Sequence, residues 1–317
     1  MKKDNILILS VSRKTLLCRW FLKASRRYGI GVLGSDLNKD APALAILDGE
    51  VALPGLRSVS FADKLLWNIK NKNIKLIVPT RDDELIFLSK IQNRIKESGA
   101  YILCNSTEVT KRIINKELFT KFCIDELGFH NLKVVTNPDD AADSYFPLFF
   151  RGGKAQKALK LKIDNRAQLA AAFALSPDGV ATTYLDGKEV SIDAYVSRGG
   201  LMLYCVPRSR DIILGGECIV STTVESKACV DFTKLIVAKS KITGPVVIQG
   251  MLFYGKFIPF EINLRFGGAS HLAFKAAYSG PELAIREYVL GEELIKTYQY
   301  KINYRLFKDF KEIYEYK

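Results

Sequence analysis

The chain has 317 residues, 48% hydrophobic and 26% charged, the make-up of a water-soluble globular protein with enough length for two or three subdomains. No apolar run approaches the roughly 18–20 residues of a membrane span, and MKKDNILILSVSRK meets Arg13 too early for a signal peptide, so no membrane partner and a cytoplasmic location are expected. The net charge of +13, from 47 basic and 34 acidic residues, is spread along the chain with no nucleic-acid motif, and reads as attraction for small anions. Six scattered cysteines without a C-x-x-C, and only His130 and His271 beside them, argue against a zinc site.

Ile6–Ser10 is a continuous apolar run, the pattern of a strand buried on both faces. Thr15–Tyr28 carries Leu16, Leu17, Trp20, Phe21 and Ala24 at helical spacing, and Gly31–Ser35 returns to strand. This is a βαβ start. The connecting SVSRKT lacks the glycines of a dinucleotide fingerprint, so a nicotinamide cofactor is not expected. Phe61–Asn71 reads as helix and Lys75–Pro79 as strand. Thr80 stands as N-cap of the next helix, with Asp82, Asp83 and Glu84 offsetting its dipole. Asp82 and Asp83 also lie beyond the carboxyl end of a parallel strand, where open α/β sheets bind ligands. Tyr101–Cys104 is the last strand of this part, and Ser106–Leu127 is predicted as one helix.

Phe146–Arg151 and Leu159–Ile163 are strands flanking Gly152-Gly153-Lys154-Ala155-Gln156-Lys157. A glycine pair with two lysines can fold over a polyphosphate. After a short helix over Ala167–Ala174, the stretch Ala181–Asp193 reads by its pattern as a generic β-hairpin. Ser191–Val206 forms paired strands turning at Arg198-Gly199-Gly200. Arg208 and Arg210 lie two apart, facing either a bound anion or Asp211 and Glu217 as salt-bridge partners. Cys229–Lys241, Ala273–Ala277 and Pro281–Leu290 are helical, with Pro281 suited to a first turn. The basic, aromatic tail places Phe307, Phe310 and Tyr314 at helical spacing and is expected to pack on the body.

Pro245–His271, PVVIQGMLFYGKFIPFEINLRFGGASH, reads as a hairpin turning at Tyr254-Gly255-Lys256. Alternation puts Glu261, Asn263 and Arg265 on one face, and Phe260, Ile262 and Leu264 on the other. A carboxylate, an amide and a guanidinium in a row suit a Mg²⁺ ion and the phosphates it carries. Gln249 joins them only if it stands opposite Glu261. That register needs a three-residue turn or a bulge at Gly255.

FIPFEINLRFGGASHL resembles the metal-binding strand of the ATP-grasp superfamily, most closely the branch related to the carbamoyl phosphate synthase large subunit, with Leu264 in place of the usual Pro. The resemblance covers nearly the whole chain. It implies an α/β protein: a Rossmann-like N-terminal domain over 1–106, then an ATP-grasp module over 107–317, with a small lobe at about 107–185 and a large lobe at about 186–317. Of site residues it implies Lys116, Arg151 and Lys154 for the ATP phosphates; Thr183, Tyr184 and Leu185 at the adenine edge; Glu189 on the ribose; Gln249, Glu261 and Asn263 on Mg²⁺, or Mn²⁺ in its place; and Arg208 and Arg265 at the transferring phosphoryl group. Arg151 stands where a Lys is usual, Thr183 replaces a Glu, and the flap has fewer Gly and Ser residues than usual. The activity implied is ligation of a carboxylate to an amine, or another nucleophile, through an acyl phosphate, in a homodimer. An ATP-binding module without turnover is the alternative, and a nucleic-acid binder a more distant one.

Overall fold

The computed structural model describes residues 2–152, 159–309 and 311–314. The chain opens with β1 (Asn5–Leu9), α1 (Thr15–Ser25), β2 (Gly31–Ser35), β3 (Gly49–Glu50), α2 (Phe61–Asn71), β4 (Ile74–Val78), α3 (Asp82–Glu97) and β5 (Tyr101–Ile102). These strands pair in parallel in the order β3-β2-β1-β4-β5. The sheet is covered on both faces, which is why Ile6, Leu7 and Ile8 are fully buried in succession. Strand order reverses between β1 and β4, so the crevice of this sheet opens at Ser10–Ser12 and Pro79–Asp82.

Thr80 is not the cap of α3. Its hydroxyl donates to Leu9 O at 2.8 Å, while the Glu84 carboxylate reaches back to accept from the Thr80 and Arg81 N–H groups at 2.8 and 3.1 Å. Arg81 is the extended residue preceding the helix. A carboxylate facing two backbone donors and a helix N-terminus is a stronger acceptor than the hydroxyl, so it takes the capping role.

α4 (Thr107–Ile114) and α5 (Lys116–Asp125) correct the single helix expected over Ser106–Leu127. Apolar spacing runs through the join, but Asn115 turns extended and its side chain accepts from Leu118 N at 3.0 Å, capping a new helix. Lys116 thereby becomes the first residue of α5.

A small antiparallel sheet follows: β6 (Val134–Val135), β7 (Leu148–Gly152), β8 (Leu159–Ile163) and β9 (Val180–Thr183) in the order β6-β9-β7-β8, backed by α6 (Arg166–Leu175). Phe150, Ile163, Leu169 and Ala181 form its own core. Residues 184–187 then cross to β10 (Lys188–Val196), which belongs to another sheet. Ala181–Asp193 is therefore not a hairpin but a connection between two lobes.

β10 is followed by β11 (Met202–Ser209), β12 (Ile212–Leu214), β13 (Glu217–Thr222), α7 (Lys227–Ser240), β14 (Gly244–Phe253), β15 (Lys256–Asn263), α8 (His271–Ala276), α9 (Gly280–Tyr288) and β16 (Arg305–Phe307). The large sheet is antiparallel in the order β11-β10-β14-β15, with β12-β13-β16 as a minor sheet beside it. Over Arg305–Phe307 the tail is thus a strand on β13 where helical spacing was expected, while Phe310 lies outside the described residues. α7 covers one face of the large sheet through Cys229, Phe232 and Ile236.

α8 and α9 turn back onto the N-terminal part. Phe266 meets Phe21 at 6.0 Å and Phe274 meets Trp20 at 5.5 Å between ring centroids. Arg27 donates to both carboxylate oxygens of Glu282 at 2.9 Å. One hydrophobic cluster therefore contains β1, α1, α8 and α9, each buried Phe or Leu in it worth about 1.5–3 kcal/mol. Among the described residues no helix is long and apolar enough to cross a membrane, and all six cysteines are free thiols.

Candidate functional site

The β14–β15 hairpin turns on Tyr254 and Gly255, both at positive φ, with Phe253 paired to Lys256. That is a two-residue turn of the type that follows strand twist. Gln249 nevertheless stands opposite Glu261, because Phe260 is an extra residue: Gly250 pairs with Pro259 and Gln249 with Glu261. The bulge lies there and not at Gly255. It sits on an edge strand, where Pro259 costs no ladder hydrogen bond.

Register across the large sheet then sets out a floor. Arg208 faces Ser191, Ser191 faces Gln249, and Gln249 faces Glu261, one residue from each of four strands. Asp193 and Asn263 lie in the neighbouring row. Over this floor stands Arg151 of the small sheet. Its Nη1 lies 2.9 Å from Glu261 Oε2, and its guanidinium covers the rings of Phe149 and Phe260. Asn263 Nδ2 donates to Glu261 Oε1 at 3.1 Å. Arg265 Nη2 donates to Asn263 Oδ1 at 3.0 Å and its Nε to Asp82 Oδ1 at 2.8 Å. The polar chain thus runs from the small sheet across the large one to the crevice of the parallel sheet. Of the two acids considered there, Asp82 reaches it, while Asp83 pairs with Arg81 at 2.7 Å.

Burial opposes ionisation of Glu261, but the charges of Arg151 and Lys116 and the Asn263 hydrogen bond outweigh it, and its pKa is lowered. Lys116, open to the cleft, has its pKa lowered by desolvation and by the Arg151 charge, with Glu261 opposing. Lys14, beyond β1, is lowered in the same way, between Glu84 and Arg265. Ser10 and Ser12 of that loop are held at φ of 44° and 38°, backbone strain of the sort found where a ligand is gripped.

Arg208 and Asp193 are both 3% exposed, their Nε and Oδ2 2.5 Å apart. Ser270 donates to the other Asp193 oxygen. Arg208 Nη1, Ser191 Oγ and His271 Nε2 are buried without a partner among the described residues. Of these the Arg208 guanidinium nitrogen and the Ser191 hydroxyl, on the cleft floor, can donate to an oxyanion. His271 is held neutral, its pKa lowered to about 4 by burial and then by the Lys308 and Arg208 charges. Arg208 and Arg210 do not pair with Asp211 or Glu217. Arg208 takes Asp193, and Arg210 takes Glu189 at 3.1 Å.

Thr183, Tyr184 and Leu185 line a cavity of about 690 Å³ with His130, Phe253 and Ile258. Ile258 pairs with Met251, one row nearer the hairpin tip than Gln249 and Glu261. The Thr183 hydroxyl is already used, accepting from Lys133 N at 2.7 Å. Lys154 and the rest of 153–158 lie outside the described residues. The structure therefore gathers Lys116, Arg151, Gln249, Glu261, Asn263, Arg208 and Arg265 in one cleft, with Glu189 beside them and Thr183–Leu185 at its margin. Sequence reasoning missed Asp82's grip on Arg265, Lys14, Ser191, Asp193, Ser270 and His271 as members. Alternation along Glu189, Ser191 and Asp193 was the available signal for two of them.

The donors on this floor are one ionised carboxylate and two side-chain amides. Among the described residues no three His, Cys, Asp or Glu side chains gather. Such a set fits Mg²⁺, which takes few protein carboxylates and keeps oxygen ligands from water and phosphate.

Residues 6–103 match the family model described as PylC-like, N-terminal domain, and residues 176–309 match ATP-grasp in the biosynthetic pathway with Ter operon. Residues 176–309 belong to the ATP-grasp superfamily. Solved ATP-grasp neighbours share the fold at low identity. The L-amino acid ligase from Bacillus licheniformis superposes with a TM-score of 0.69 at 16% identity, over 91% of this chain and 75% of its own. N5-carboxyaminoimidazole synthetase from Staphylococcus aureus, complexed with ADP, gives 0.69 at 15%, over 95% and 81%. The biotin carboxylase domain of the Hydrogenobacter thermophilus 2-oxoglutarate carboxylase, in complex with MgADP and bicarbonate, gives 0.68 at 12%, over 94% and 72%. No curated protein matches the sequence significantly. The parallel sheet comes first in the chain, and the small and large antiparallel sheets face each other across the cleft.

Proposed function

We propose that the protein is an ATP- and Mg²⁺-dependent ligase that joins a carboxylate to an amine, as in the branch related to carbamoyl phosphate synthase. The observation that carries this reading is the polar chain Arg151–Glu261–Asn263–Arg265–Asp82, laid between two lobes and the crevice of a third body. Bound Mg²⁺ would neutralise phosphate charge, held by Glu261 and Asn263 with Gln249 adjacent. Arg151 leaves Glu261 for the nucleotide phosphates, with Lys116 beside it, while the margin at Thr183–Leu185 takes the adenine and Glu189 the ribose. Arg265 and the free Nη1 of Arg208 stabilise the transferring phosphoryl group. The acid's carboxylate oxygen attacks the γ-phosphorus and ADP leaves. The amine then attacks the acyl carbon, phosphate leaves and the nitrogen gives up a proton. Every group acts by position and charge, and none need be a nucleophile.

The test is ADP release with a panel of acids, using hydroxylamine to trap the acyl phosphate as a hydroxamate. Turnover is expected for a subset of acids, and a loss of roughly 10²-fold or more in Glu261→Gln. ATP binding without ADP release or hydroxamate across the panel would favour the alternative, an ATP-binding module. The observation behind that rival is that Arg151 and Glu261 already satisfy each other.

A further inference from the structure

A second concave site lies outside the cleft. A cavity of about 710 Å³ opens where β5, the free edge of the parallel sheet, meets the large lobe. Its walls come from three segments: Lys96 and Tyr101 from α3 and β5, Ser106 and Arg112 around α4, and Arg198, Lys239, Lys241 and Tyr288 from the large lobe.

Its charge is one-sided. Five of these residues are cationic, against Glu108 as the single acid in the lining. Arg112 has a distant partner in Glu126 at 3.7 Å. Among the described residues no ion pair engages Lys96, Arg198, Lys239 or Lys241. The Arg198 guanidinium lies 4.8 Å from the Tyr101 ring centre and 5.3 Å from that of Tyr288, while its backbone N–H donates to Glu287 at 2.6 Å. α4 begins at this wall, with Ser106 as its cap, and adds the positive end of a helix dipole. Cations gathered round one concavity repel one another, and with acids fewer than bases around it the cavity favours an anion. The volume falls in the roughly 300–1,000 Å³ range of small-ligand pockets.

We propose that this cavity binds a compact small molecule carrying several phosphoryl groups, separately from the nucleotide cleft. Arg198 supplies a planar fork, and Lys96, Lys239 and Lys241 supply point charges. The ligand ties the parallel sheet, α4 and the large lobe together at a seam already closed by Asn105, whose side chain bonds both backbone groups of Thr243 at 2.8 and 3.1 Å.

Inorganic tripolyphosphate is the probe, titrated calorimetrically into the full chain without divalent cations. A binding component is expected that Lys239→Glu/Lys241→Glu weakens at least tenfold and that Arg151→Ala leaves within twofold. Both lysines are exposed, so the double variant should keep the wild-type circular dichroism. Arg198→Gln, which removes the fork alone, should weaken the same component. The proposal is overturned if Arg151→Ala abolishes all binding, since the probe then occupies the nucleotide cleft. Absence of binding below millimolar concentration overturns it as well. So does tighter binding of a single-stranded RNA 20-mer lost in the same double variant.

Discussion

Asp193 and Arg208 show how a single buried pair can prepare a site. The carboxylate holds the guanidinium by Nε and leaves Nη1 open, so the charge is neutralised but a donor remains. Removing Asp193 would strand a cation that is 3% exposed. Asp193→Ala is therefore expected to cost about 3–5 kcal/mol, read as a lowered urea midpoint. His271 adds a pH dependence. Its pKa falls from 6.5 unfolded to about 4 folded, so between those values the unfolded chain holds the extra proton and stability rises with pH. His271→Gln should flatten the melting temperature profile between pH 4 and 6.5 relative to wild type. Glu261, with its pKa lowered, contributes stability above the unfolded carboxylate value that is lost as the pH falls through the folded one. At this scale the sequence made the E-x-N-x-R face legible by alternation alone. It could not show Asp82 or Lys14 meeting that face, because those contacts depend on how one domain seats on another.

The β14–β15 hairpin shows where elements were readable and where they were not. Strand identity and the Gln249–Glu261 pairing followed from face logic, but the bulge was placed at the turn when it lies at Phe260. A bulge is decided by backbone contacts: a Cβ on Gly250 would stand 2.4 Å from Ile258 O. Gly250→Ala is thus expected to destabilise by about 1–3 kcal/mol and to lower Mg²⁺-dependent activity by slipping Glu261 out of register. Tyr254 is the opposite case, 89% exposed at a φ of 46°. Tyr254→Asn should raise stability by about 0.5–1 kcal/mol in thermal melts, since Asn tolerates this conformation better. The split between α4 and α5 was hidden for a related reason. Apolar periodicity is continuous through Asn115, and only the capping hydrogen bond marks the break.

At the scale of the whole molecule, the hydrophobic cluster of α1, α8 and α9 binds the first hundred residues to the last fifty. Tryptophan fluorescence, from Trp20 and Trp67, and far-UV circular dichroism should report one coincident urea transition for these parts. A separate early fluorescence transition would contradict the shared core. The small sheet has its own core, and among the described residues Arg151–Glu261 is the ion pair joining it to the large sheet.

Among the described residues that single ion pair makes ionic strength a throttle on entry. Screening normally slows an anion's approach to a basic protein. Here moderate salt also weakens the part-exposed Arg151–Glu261 pair, so stopped-flow capture of a fluorescent ATP analogue should quicken as salt first rises, then slow beyond about 0.15 M. In Arg151→Ala the gate stands ajar at every concentration, and only the decline should survive.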